Sequence, residues 1–250
     1  METNDLLVAA LAAGMLLAAF VYASVGHGGA SAYLAAMALA GVAPAEMRPI
    51  ALVLNVVVSA IATFKFYRAG YFRWRLFWPF AAVSIPAAYA GGAITLPGHA
   101  YKAIVGVVLI YAAWQLWRSA RAGEEMREVH EPPLVLAMVI GGGLGLLSGL
   151  TGVGGGIFLS PLLLILGWAG TKQTSAVAAP FILVNSIAGL AGAFMVKSSS
   201  LPSHIWLLAA AVLVGGWLGA EYGSRRFTNP FIRRMLAVVL AVAGAKMIAV

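Results

Sequence analysis

Residues 149–167 read GLTGVGGGIFLSPLLLILG, and residues 26–41 read GHGGASAYLAAMALAG. Each stretch is a glycine cluster followed by a short apolar run. They superpose at a displacement of 126 residues, with Gly26-His27-Gly28-Gly29 over Gly152-Val153-Gly154-Gly155 and Gly41 over Gly167. Glycine permits positive φ and close backbone approach, so one helix can stop and another begin at such a cluster, even inside a bilayer. The new helix presents unpaired N–H groups and the positive end of its dipole, which is an anion site needing no charged side chain. Two such clusters related by inversion would point two positive ends at one central space. The alternative for glycine-rich stretches is close packing between helices.

The self-similarity continues outward. After a four-residue slip, Ile50–Phe64 lies over Pro180–Phe194, which places Asn55 on Asn185 and Phe64 on Phe194. Near the ends, KAIVGVVL (Lys102–Leu109) lies over RRMLAVVL (Arg233–Leu240). Internal repetition on this scale points to two copies of one unit.

The chain has 250 residues, of which 62% are apolar or aromatic and only 10% are charged, against about 25% charged in a soluble domain. A soluble core of this length could not hide that much apolar surface. Cysteine is absent, which excludes disulfides, thiolate metal sites and a cysteine nucleophile. Eight acidic residues are too few for an EF-hand or a carboxylate-caged dimetal centre. The formal charge of +8 is divided between long apolar runs, where it meets lipid headgroups and sets orientation rather than binding nucleic acid. The runs do not alternate as barrel strands do. The fold class expected is all-α and polytopic in a membrane.

Apolar runs fall at about 6–25, 30–42, 49–64, 76–96, 103–117, 134–150, 157–168, 176–196, 205–220 and 231–250. The first has acids and no base before it, unlike a signal peptide. A crossing needs about 20 residues, so 30–42 and 157–168 are either short tilted helices or re-entrant halves. The mixed-charge stretch before Pro132-Pro133 divides the chain into a first repeat at 1–118, a linker at 119–133 and a second repeat at 134–250.

Charge decides how the repeats are related, because cytoplasmic loops are rich in Lys and Arg. The first half carries Lys65, Arg68, Arg73 and Arg75 in one loop and only Lys102 in the next. In the second half the equivalent loops swap, with Lys197 alone in one and Arg225, Arg226, Arg233 and Arg234 in the other. Equivalent loops then face opposite sides, which requires an odd number of segments per half. Five per half fits, with both termini outside. On that assignment twelve Lys and Arg lie inside, with Arg118, Arg121, Arg127 and Lys172 completing the set, and Arg48, Lys102, Lys197 and Lys246 lie outside. Trp74 and Trp78 would anchor the inner interface, and Glu221 would pair with Arg225. Inverted repeats with broken helices are a transporter architecture whose substrate sits near the midplane.

Within that frame the candidate substrate-binding residues are Arg48, Asn55, Asn185, His27 and the glycines Gly26, Gly28, Gly29, Gly152, Gly154 and Gly155. Arg48 opens an apolar helix, where its guanidinium could take an oxyanion in fork geometry or pair with Glu46 or a lipid phosphate. Asn55 and Asn185 lie in apolar runs and must find partners, either substrate or a neighbouring helix. His27 could donate to an anion or titrate, or be satisfied by a backbone carbonyl. Ser31, Ser59, Thr63, Thr151 and Ser186 could add hydroxyl donors, but Ser and Thr also bond their own helices, and they are read as packing.

The chain resembles the sulfite exporter TauE/SafE family of bacterial membrane anion transporters. The resemblance rests on Gly149–Gly167, on AAPFILVNSIAGLAG (Ala178–Gly192) and on the weaker copy at Gly26–Gly41, and it covers essentially the whole chain. The first half departs from the common pattern at Gly-His-Gly-Gly and at Arg48, where selectivity should reside. The resemblance implies a multi-pass protein of the bacterial inner membrane that exports or takes up a small sulfur-containing or organic anion. Sulfite, a sulfonate or sulfoacetate would be typical. No cofactor, catalytic residue, metal ligand or nucleic-acid partner is expected. Membrane lipids are, and association into a homo-oligomer stays open. Two other readings stand beside it. A cation or metal transporter would need converging His, Met or carboxylate ligands. An intramembrane hydrolase would have only Ser148, Ser160 and His27 to work with, lacking a Gly-x-Ser-x-Gly elbow and an Asp to orient the histidine.

Overall fold

Among the described residues the chain forms ten helices. The computed structural model describes residues 2–119, 129–196, 205–225 and 230–249. The elements are α1 (Glu2–Ala23), α2 (Ala30–Ala40), α3 (Pro44–Arg68), α4 (Trp74–Ala93), α5 (Gly98–Ser119), α6 (Leu134–Thr151), α7 (Gly156–Ile165), α8 (Thr171–Val196), α9 (Ile205–Arg225) and α10 (Pro230–Ala249). No strand occurs among the described residues. Five helices fall on each side of the central hydrophilic stretch. Arg121, Arg127, Lys197 and Arg226, and most of the expected linker, lie outside the described residues.

Among the described residues five helices, α3, α4, α6, α8 and α9, are long and apolar enough to cross a bilayer. The protein is a multi-pass membrane protein. Its lipid-facing surface carries Val135, Met195 and Trp206, each more than 70% exposed, which water would penalise and hydrocarbon accepts. The two short segments are helices of 11 and 10 residues, about 16 and 15 Å long at 1.5 Å per residue. Neither can cross ~30 Å of hydrocarbon, so both are half-helices. Helices α3 and α8 begin about five residues before their apolar runs. Pro44 suits the first turn of α3 because its missing N–H would be unpaired there anyway, and α8 starts on the polar Thr171-Lys172-Gln173.

Among the long helices the main contacts match when each is exchanged for the one five places away, whereas the short helices differ: α2 packs on α10 more closely than α7 does on α5. Helix α4 packs on α6 as α9 packs on α1, α4 packs on α8 as α9 packs on α3, and α3–α8 and α5–α10 are self-paired. Small residues make the closest seams. Gly141, Gly145 and Gly149 of α6 lie against the backbone of Phe80, Ser84 and Ala88 of α4. Gly215, Gly219 and Gly223 of α9 lie likewise against Leu16 and Phe20 of α1 and Ser24 just past its end. In both seams a Cβ would strike a backbone carbonyl, so the four-residue glycine spacing sets how near the helices come.

Two clusters of charge mark opposite ends of the bundle. At one, Lys65 of α3 pairs with Glu221 of α9 and lies 4.0 Å from the centroid of the Trp217 ring. Lys172 of α8 donates to the carbonyls of Gly223 and Ser224 at 3.1 and 3.3 Å. The side chain of Arg225 lies outside the described residues. At the other end, Lys246 of α10 donates to the carbonyls of Ala38 and Leu39 at 3.0 and 3.1 Å, closing the last turn of α2.

Candidate functional site

The two half-helices begin at glycine loops, and both loops meet α3 near its middle. Asn55 is the twelfth residue of the 25 in α3 and is fully buried. Its Oδ1 accepts from the N–H of Ala30 at 3.1 Å, capping α2. Its Nδ2 donates to the carbonyl of Val153 in the second loop at 3.2 Å. One amide therefore satisfies a helix end from the first half and a loop carbonyl from the second. A Cβ on Gly28 would run into that amide, and one on Gly154 would stand 2.7 Å from Nδ2, so both glycines are required for the approach. Gly154 also has φ +83°, a region that a side chain makes costly.

Side chains from three helices hold the first loop. His27 Nδ1 lies 3.0 Å from the carbonyl of Val25, and its Nε2 lies 3.1 Å from Ser160 Oγ of α7. A carbonyl can only accept, so Nδ1 carries the proton and Nε2 accepts from the serine. Ser175 of α8 donates to the same Val25 carbonyl at 2.9 Å. Tyr33 donates to the carbonyl of Gly28 at 2.8 Å, and Ser31 donates to the hydroxyl of Tyr22 at 2.7 Å. These buried tyrosines carry the loop, and nothing in the sequence periodicity singled them out. His27 takes the role of a histidine satisfied by a backbone carbonyl, and with Ser160 it ties the first loop to the second half.

That contact bears on the hydrolase reading. Structure brings Ser160 and His27 together but gives the histidine a carbonyl in place of a carboxylate, and Ser160 is buried. For the metal reading, no group of three His or carboxylate side chains among the described residues could hold an ion.

Around the second loop the polar groups are not paired in the same way. Asn185, the fifteenth residue of the 26 in α8, donates from Nδ2 to the carbonyl of Phe181 at 2.8 Å. Its Oδ1 has no partner, and neither do the hydroxyls of Ser148 and Ser186. Gly155 caps α7 with φ 76° and no side-chain bond. The repeat partner of Asn55 thus does not cap its half-helix. Ser59 and Thr151 do bond their own helices, at 2.5 and 2.7 Å, as the sequence reading expects. Ser186 does not.

Arg48 stands apart from this centre. Its backbone touches the position a Cβ would take on Gly152, but its guanidinium turns away and donates to the carbonyl of Ile94 at 2.9 Å, at the end of α4. Glu46 is not its partner. The guanidinium lines a cavity of about 160 Å³ with Pro44, Thr95, Gly98 and Tyr101, and Tyr101 donates to the carbonyl of Thr151 at 3.2 Å. The structure therefore separates the candidates into a central set around Asn55, Asn185 and the glycine loops, and an Arg48 cavity at one end of α3. All of the buried polar side chains among the described residues are neutral.

Comparison with known proteins gives concordant matches. A family model described as sulfite exporter TauE/SafE matches residues 10–247. A protein of Sinorhizobium fredii named "probable membrane transporter protein y4hK" is 40% identical over 242 residues, covering 95% of this chain and 97% of that one. A Sinorhizobium protein named "probable membrane transporter protein ORF9" is 26% identical over 243 residues, covering 94% of this chain and 91% of its own. The "probable membrane transporter protein YunE" of Bacillus subtilis matches at 28% over 109 residues, 42% of this chain and 38% of its own. No solved structure matches the chain.

Proposed function

The chain belongs to the sulfite exporter TauE/SafE family and is a membrane transporter, and from that premise we propose that it carries a small anion across a bacterial inner membrane. Sulfite, an organosulfonate or a related oxyanion is the substrate class. The two sets of five helices act as inverted halves that rock against each other and expose a central site alternately.

The observation that carries this reading is the meeting of two broken helices at the level of Asn55, with neutral donors and helix N-termini in place of charged side chains. Such a centre suits an anion that must bind in low dielectric and leave again. Four hydrogen bonds cross between the halves close to it: Asn55 to Val153, Ser160 to His27, Ser175 to Val25 and Tyr101 to Thr151. At about 1 kcal/mol net each, they hold one conformation by a few kcal/mol, a gap that substrate binding can overcome. In this scheme Arg48 collects the anion at one mouth, and the glycine loops with Asn185 receive it further in.

The test is flux in proteoliposomes loaded with sulfite, sulfoacetate, taurine, acetate or chloride. We expect uptake or release of one sulfur anion well above empty liposomes. Arg48→Ala should lower flux at subsaturating anion by about tenfold, the value of one charge-assisted hydrogen bond. Unchanged flux and affinity in that variant would remove Arg48 from the path, and movement of metals or neutral solutes in place of anions would refute the substrate class.

A further inference from the structure

The two half-helices are treated differently by their surroundings. At α2 the N–H of Ala30 is taken by Asn55, and side chains bond the loop before it at Val25, His27 and Gly28. At α7 three fully buried polar atoms lack partners: Ser148 Oγ, Ser186 Oγ and Asn185 Oδ1. The two serines lie beside the start of that helix. A Cβ on Gly154 would stand 3.2 Å from Ser186 Oγ, and one on Gly155, the N-cap, would stand 3.6 Å from Ser148 Cβ. Phe181 and Ile182, one turn before Asn185 and Ser186, meet the same loop at Gly154, Gly155 and Gly156. Residues three and four apart share a helix face, so Asn185 and Ser186 stand on the face that receives α7.

A serine in a membrane helix ordinarily donates to a carbonyl of its own helix, as Ser59 does. Leaving two such hydroxyls unpaired beside a helix N-terminus carries a desolvation cost, and that cost is recovered when an acceptor arrives. Asn185 adds a different requirement. The Phe181 carbonyl can only accept, so Nδ2 must face it and Oδ1 is the free pole of the amide. An acceptor in an anion site repels a bare anion and attracts one that brings a hydroxyl. Charge points the same way. Among the described residues the buried polar side chains are all neutral, and the cost of desolvating an ion grows as the square of its charge, roughly fourfold from monoanion to dianion.

We infer that Ser148, Ser186 and the N-terminus of α7 form the central anion subsite, and that Asn185 Oδ1 selects a singly charged oxyanion bearing one hydroxyl, of which hydrogen sulfite is the type. This rests on the anion-carrier reading and names the form of the substrate and the side chains that hold it. Both hydroxyls and the first-turn N–H groups donate to the anionic oxygens, and the ligand's own O–H donates to Asn185.

The experiment measures binding to the purified full-length protein in detergent, at fixed ionic strength and a mildly acidic pH where sulfite stands mostly as hydrogen sulfite. The probes are hydrogen sulfite, methanesulfonate (a monoanion without a hydroxyl) and sulfate (a dianion). Wild type should bind hydrogen sulfite most tightly and sulfate least. Ser148→Ala and Ser186→Ala should each weaken hydrogen sulfite and methanesulfonate alike, by about tenfold or more. Asn185→Ala should abolish the preference for hydrogen sulfite over methanesulfonate and leave methanesulfonate affinity in place. Thr63→Ala, which removes another unpartnered hydroxyl about 12 Å along α3 from Asn55, should change nothing. Should an alanine variant fail to elute as folded protein, Ser→Cys at the same position keeps the size with a much weaker donor and carries the same expectation. Folded serine variants that bind like wild type overturn the subsite while leaving the anion reading intact. A preference surviving in Asn185→Ala overturns the selection by protonation. Wild type that binds none of the three probes overturns the anion reading and the subsite together.

Discussion

Asn55 and Asn185 occupy matched positions in the repeat, both are fully buried, and the same substitution should have opposite consequences at the two. Asn55→Ala removes the cap from α2, which costs about 1 kcal/mol, and leaves the Val153 carbonyl without its donor, a further ~1–3 kcal/mol for a buried polar group. Asn185→Ala removes a bond to the Phe181 carbonyl, which still accepts from the helix backbone, so no group is orphaned. It also removes an amide oxygen that has no partner and whose burial is unfavourable. Truncation leaves a comparable void at each site, so that contribution cancels in the comparison. The difference between the two variants is therefore about 2–4 kcal/mol. At about 2–4 °C per kcal/mol for a chain of this size, Asn55→Ala should unfold some 5–15 °C below Asn185→Ala. The seven tryptophans make intrinsic fluorescence in detergent the direct assay, each variant being scanned without ligand. Equal midpoints, or a lower one for Asn185→Ala, would refute the assignment of Asn55 as the structural amide that joins the loops.

Two further predictions concern the frame. Gly154→Ala and Gly41→Ala both place a methyl at positive φ, +83° and +78°, at about 1–2 kcal/mol for the backbone alone. A Cβ on Gly41 meets nothing within 4 Å, whereas one on Gly154 stands 2.7 Å from Asn55 Nδ2 and from Ile182 Cγ2. Gly41→Ala should therefore yield folded protein in size-exclusion chromatography, and Gly154→Ala should yield markedly less. For topology, reporters fused at Ala69 and Gly170 should both report the cytoplasm, and reporters at Gly41 and Gly98 the opposite side. Ala69 and Gly170 on different sides would end the inverted-repeat proposal.

What could be read in the sequence was whatever depends on composition and backbone alone. The membrane class follows from the scarcity of charge, and the helix breaks follow from glycine clusters that no regular helix would place there. Helix ends were less legible, because the polar first turns at Pro44 and Thr171 carry no apolar signal. Pairing was not legible at all. A serine in an apolar run looks the same whether it bonds its own helix, as Ser59 does, or stands without a partner, as Ser186 does. Arg48 is legible as a cation opening an apolar helix, but the turn of its guanidinium toward Ile94, which sets it apart from the glycine loops, is not.

The deeper reason lies in the loops. The repeat aligns glycine with glycine and asparagine with asparagine, yet the break between α1 and α2 runs over residues 24–29 and that between α6 and α7 only over 152–155. Two extra residues let the first loop carry Val25, whose carbonyl meets His27 and Ser175, and bring Ala30 onto Asn55. The shorter second loop leaves α7 without a side-chain cap and Asn185 bonded back onto its own helix. A duplicated sequence thus yields one half-helix whose end is closed by protein and one whose neighbouring donors are left for something else. A carrier needs both. In the proposed mechanism the closed end keeps the halves in register, and the open end is where a ligand gains most from arriving, because the protein has already borne the cost of burying those groups unpaired.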